Sequence, residues 1–85
     1  MPVAAWRELT EAERGLYNVG VADYLAGRPK ADPPQAGLSY QRLGWLDTRD
    51  VAEAYGRAAA EAMEPAAIYT EVNGTPEAAG EQKAP

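Results

Sequence analysis

Two carboxylates, Asp47 and Asp50, stand three residues apart, and five cations, Arg28, Lys30, Arg42, Arg49 and Arg57, are spread through the middle of the chain. On a helix the i, i+3 spacing puts both carboxylates on one face, where an acid and a base would have to sit to share a substrate. Surface carboxylates at this spacing are ordinarily solvated, and nothing else needed for catalysis accompanies them. The chain has no cysteine and no histidine. Thiolate nucleophiles, disulfides, the commonest catalytic base and the commonest zinc ligand are therefore absent together. With no glycine-rich phosphate cradle either, the sequence reads as a non-enzyme that holds no metal and no cofactor. What remains is binding chemistry, since arginine and lysine are the residues that contact phosphate.

Charge distribution tempers that reading. The net charge is −5, but residues 7–57 hold seven basic and eight acidic groups while residues 58–85 hold one basic and five acidic groups. The acidity belongs mostly to the C-terminal part. Eighty-five residues form one domain at most, with a small core in which any uncovered apolar face matters. The opening MPVAAWRELT has no basic stretch followed by an apolar run, and no segment reaches the roughly 18 apolar residues of a membrane span, so a cytoplasmic protein is expected.

The elements that would position the cations follow from capping and periodicity. Thr10 with Glu13 three residues on is a capping-box pattern and predicts a helix from about Glu11 to Ala26. Gly27 suits the left-handed position past a helix end, where Arg28 and Lys30 complement the helix dipole. Pro29, Pro33 and Pro34 then stiffen the connection.

Ser39 caps a second predicted helix, from about Tyr40 to Met63, closed by Pro65. Tyr40, Gly44, Val51, Tyr55, Ala58 and Ala62 share one side of it, extended by Trp45, Ala52, Ala59 and Met63, while Arg42, Arg49, Asp50, Glu53 and Arg57 take the other. Its weak point is Asp47–Thr48–Arg49, where Asp47 or Thr48 suits the cap of a separate helix. Trp45 is expected in the core and Leu46 among the arginines.

The first helix is apolar on two sides: Tyr17, Val21, Tyr24 and Leu25 on one, Ala12, Gly15, Leu16, Val19, Ala22 and Ala26 on the other, with Asp23 inside the second. One helix cannot cover both. The remaining cover is the N-terminal Val3 and Trp6, a second copy of the chain in a homodimer, or a partner. From Glu64 the composition shifts to Ala, Pro, Glu and Gly, which reads as a disordered acidic tail containing one short β-prone run, Ala67 to Val72. The expected organisation is thus an all-α two-helix hairpin: an N-terminal segment, 1–9, a helical domain, 10–64, and a disordered tail, 65–85.

Gly20, then Leu25, Ala26, Gly27 and Arg28, then Lys30 and Pro34, and finally the pair Gly44 and Trp45 form an ordered set. In that order and spacing the chain resembles the ribosome modulation factor family, with the wider group of small Rmf/CrpP-like proteins, over about residues 14 to 58. Pro33 stands where the family usually carries cysteine, the family's first tryptophan is either replaced by Tyr40 or displaced, the loop to Gly44 is shorter, and ribosome-binding members are strongly basic. The resemblance implies a small non-enzymatic regulator that binds the ribosome or its RNA and restrains translation. It casts Arg28, Lys30 and Arg42 as phosphate contacts, Arg49 and Arg57 as their extension, and Tyr40 or Trp45 as a stacking or anchoring group. The alternative is a phage or mobile-element accessory protein that uses the same scaffold to inhibit a host protein, through Leu46 and the spare face of the first helix.

Overall fold

A computed structural model describes residues 4–31 and 39–74. After a 3-10 turn at Trp6–Glu8, the described residues form four α-helices: α1, Glu11–Leu25; α2, Ser39–Tyr55; α3, Arg57–Ala62; and α4, Pro65–Asn73. They contain no strand. The chain is all-α as expected, but it is not a two-helix hairpin.

The first helix follows its sequence signals closely. The Thr10 hydroxyl accepts from the Glu13 N–H at 3.1 Å, and the Glu13 carboxylate accepts from the Thr10 N–H at 2.8 Å. At the other end Gly27 has φ 78°, the Arg28 N–H donates to the Asp23 carbonyl at 2.8 Å, and the Gly27 N–H to that of Tyr24 at 3.0 Å. These two bonds are a complete Schellman closure, which a side chain at position 27 would strain.

Helices α1 and α2 touch backbone to backbone. A methyl group on Gly20 would fall inside contact distance of the Gln41 carbonyl oxygen, and one on Gly44 inside that of the Tyr17 carbonyl oxygen. The two glycines are reciprocal, each clearing room for the other helix. The Thr48 hydroxyl, fully buried beside this crossing, donates to the Gly44 carbonyl at 2.7 Å.

The second predicted helix does break, at a different place. Asp47, Thr48 and Arg49 lie in the middle of α2, and the interruption falls at Gly56, whose φ of 99° no other residue adopts comfortably. The kink starts α3, where the Arg57 guanidinium donates to the Leu25 carbonyl and pairs with Glu61 at 3.0 Å. Tyr55, expected on the apolar side, ends α2 just before the kink and is 61 % exposed.

The largest correction concerns residues 65–73; residues 75–85, the remainder of the expected disordered tail, lie outside the described residues. Residues 65–73 are α4, opened by Pro65 at its first turn, so the helical domain does not stop at 64 and Ala67 to Val72 is not a strand. Ile68 and Tyr69 of α4 are buried in the core with Leu9, Tyr17, Val21, Val51 and Ala60. Trp6 folds back to join them, its ring centroid 5.3 Å from Tyr17 and 5.5 Å from Tyr69, while Tyr17 and Tyr69 lie 5.4 Å apart. The aromatic centre of the core is this trio. Trp45, expected there, sits half-buried at the rim.

Candidate functional site

The cations gather around the C-terminal end of α1. The Schellman turn projects Arg28, and its Nε donates to Asp23 Oδ1 at 2.8 Å, while Gln41 of α2 donates to the other oxygen, Oδ2, at 3.0 Å. The Arg28 guanidinium first and the Gln41 amide second hold the Asp23 carboxyl below the ordinary carboxylate value. Asp23, on the supposedly apolar second face of α1, is thus buried with both oxygens satisfied.

Trp45 closes the corner. Its indole N–H donates to the Arg28 carbonyl at 3.0 Å, its ring meets Tyr24 edge-on at 5.2 Å, and the Arg49 guanidinium lies 5.4 Å from its ring centre. Arg49 also reaches Glu53 at 3.9 Å. Lys30 is exposed two residues past Arg28. Arg42 and Leu46, both half-buried on α2, sit about two turns and about one turn before Arg49, so Leu46 is not the exposed residue expected among the arginines. Arg28, Trp45 and Arg49 are therefore brought together with Tyr24, and Lys30 follows Arg28 by two residues. Arg57 faces the α1 terminus instead, capping its carbonyl. Of the ordered set, Gly20 and Gly44 serve the helix crossing, while Ala26 and Gly27 serve the turn that places Arg28. Pro34 lies outside the described residues.

The charges at this corner are largely matched. Arg28 pairs with Asp23 and Arg49 with Glu53, and the C-terminal dipole of α1 adds negative character. The surplus is small and rests on Lys30 and the outer guanidinium nitrogens. An aromatic platform edged by cations suits base stacking beside phosphate contact, or the anchoring of a protein side chain.

The carboxylate pair has a different fate from the solvated one expected. Asp47 is 3 % exposed and sits where α1, α2 and α4 meet. Its Oδ2 accepts from the Tyr17 hydroxyl at 2.9 Å and from Asn73 Nδ2 at 2.8 Å. Asn73 also donates to the Tyr69 carbonyl at 3.1 Å. Burial raises the Asp47 carboxyl above its ordinary value against the lowering effect of these bonds, and nearby Asp50 raises it further. Burial likewise pushes the Tyr17 hydroxyl up. Asp50 itself remains exposed, so the two carboxylates do not act as a pair.

This polar junction was hidden in the sequence because two of its members, Tyr17 and Asn73, lie on elements read as apolar face and tail. Among the described residues no group of three Asp or Glu side chains is placed to hold a metal ion, and no helix is long and apolar enough to cross a membrane. No protein-family model matches the chain, and neither a curated protein nor a solved structure shows significant similarity to it.

Proposed function

We propose that this chain is a small non-enzymatic binding protein whose Arg28–Lys30–Trp45–Arg49 corner docks on structured RNA, the RNA of the ribosome being the target implied by its resemblance to ribosome modulation factors, so that it restrains translation in the cytoplasm. The observation that carries the reading is the half-buried Trp45 ring, met edge-on by Tyr24, flanked by Arg49 and hydrogen-bonded to the Arg28 carbonyl, with exposed Lys30 two residues further along the chain. Stacking and phosphate contact are the two components of single-strand and loop recognition, and this corner offers both. Few phosphates are engaged, so affinity should fall by only one to three times about 0.7 log units per decade of salt, the single-strand value.

The test is a titration of ribosomal subunits and isolated ribosomal RNA with labelled protein at several salt concentrations. The expected result is salt-sensitive binding that weakens several-fold in Lys30→Ala and, separately, in Arg49→Gln. Neither change touches the core, and circular dichroism confirms the folded state of each. Binding that ignores both substitutions would sink the proposal.

A second reading, inhibition of a host protein with the same scaffold, is favoured by one specific observation: Arg28, Arg49 and Arg57 each have a carboxylate partner within the chain. A target captured in high salt and free of RNA would decide for it.

A further inference from the structure

Helices α2 and α4 leave a cleft of about 200 Å³ between them, lined by Asp50, Val51, Ala54, Tyr55, Glu71 and Val72. Its apolar part is unusual for this surface: Tyr55 and Val72 are 61 % and 37 % exposed, and the only other large apolar side chain as open among the described residues is Val19 on α1. Its polar part is of one sign. Asp50 comes from α2 and Glu71 from α4, and no lining residue is basic. The Tyr55 hydroxyl donates to Glu71 Oε2 at 2.7 Å, which fixes the ring as a wall. The size excludes the usual small-molecule cofactor, which occupies roughly 300 to 1,000 Å³. It suits a single side chain.

We propose that this cleft seats a lysine or arginine side chain presented by a basic segment of a protein partner. The aliphatic stem would lie on Val51, Ala54 and Val72, as such stems do on apolar surface, while the cationic head meets Asp50 and Glu71 and borders the Tyr55 ring. Charge complementarity selects this occupant: a chain of net charge −5 whose open apolar cleft carries two carboxylates repels acidic segments, and a neutral one would leave the negative charge of Asp50 and Glu71 uncompensated. The buried Asp47 lies close enough to Asp50 to feel its charge, so a bound cation would relieve repulsion already present. No residue of the basic corner lines the cleft, so this inference stands or falls independently of RNA binding.

The experiment is nuclear magnetic resonance on the isotope-labelled full chain, titrated with capped pentapeptides that carry Lys, Arg or Gln between glycines. Saturable shifts confined to the amides around Asp50, Ala54, Tyr55, Glu71 and Val72, given by the Lys or Arg peptide and absent with Gln, are expected. The double variant Asp50→Asn/Glu71→Gln should weaken them about tenfold, the sum of two modest ion pairs. Val72→Ser, which leaves the charge unchanged, should weaken them several-fold, and circular dichroism checks that both variants stay folded. Shifts spread over all acidic residues, or indifferent to Val72→Ser, would overturn the proposal in favour of unspecific charge attraction. The same amides moving on dilution without peptide would assign the cleft to a second copy. A response to Lys83→Gln would assign it to the chain's own C-terminal segment.

Discussion

At the scale of single residues, glycines at positions 15 and 44 look alike in sequence and differ entirely in place. Nothing lies within 4 Å of a methyl group built on Gly15, whereas one on Gly44 runs into the Tyr17 carbonyl. Gly15→Ala should therefore stabilise by about 0.5–1 kcal/mol through helix propensity alone. Gly44→Ala should destabilise by at least about 2 kcal/mol, because backbone cannot yield as a side chain can. Thermal melts of the two variants check both signs. Asp47 offers a second residue-scale test. Its carboxyl is raised from 3.8, so the folded chain binds more protons than the unfolded one just above that value, and its contribution to stability falls as pH rises through the raised value. Asp23 is lowered from 3.8, so its contribution is present above that value and is lost as pH falls through the lowered one. Stability should peak on the acid side of neutrality. Asp47→Asn keeps an acceptor for Tyr17 and Asn73, stays within about 1 kcal/mol of the parent at neutral pH, and flattens the upper limb of the profile. An upper limb that survives the substitution would mean that another group causes it.

At the scale of elements, legibility tracked the locality of the signal. The α1 boundaries were readable because Thr10, Glu13 and Gly27 act on backbone within a few residues of themselves. The end of α2 was missed because Asp47 and Thr48 resemble caps, and only the tertiary structure shows them buried, Asp47 under Tyr17 and Asn73 and Thr48 against Gly44. Helix α4 was missed because Pro65–Asn73 is too short to declare a period and is followed by a compositionally biased stretch. Only contact with Tyr17 and Trp6 reveals Ile68 and Tyr69 as core. The arginine row was legible as a row, and the pairs Arg49–Glu53 and Arg57–Glu61 have the local i, i+4 spacing, whereas the pairing of Arg28 with Asp23 depends on the turn at Gly27. The two possible domain ends give different experiments. A chain ending at Glu64 should lose cooperative unfolding, since removing Ile68 and Tyr69 uncovers the core and takes away the Asn73 amide from Asp47. A chain ending at Gly74 should melt as the full chain does. Equal melts for all three would show that α4 is an appendage.

At the scale of the whole molecule, the described chain closes on itself. The Tyr69 hydroxyl donates to the Ala4 carbonyl at 2.7 Å, joining residues 65 positions apart, and Trp6 packs on both Tyr17 of α1 and Tyr69 of α4. Each aromatic pair contributes about 0.5–1.5 kcal/mol beyond its buried area, a large share of the margin available to a domain this small. A hairpin with loose ends would unfold from those ends inward. A closed ring of contacts should instead unfold in one step, because loss of either end exposes the same core. In a Trp45→Phe background, the remaining tryptophan, Trp6, reports the N-terminal segment while far-ultraviolet dichroism reports the helices. Their thermal transitions should coincide, and Tyr69→Leu, which keeps an apolar side chain but removes the hydroxyl and the ring contacts, should move the two together to lower temperature. A fluorescence transition that precedes the loss of helicity would mean that Trp6 merely rests on the core, leaving α1, α2 and α4 to cohere through Asp47 and the glycine crossing without it.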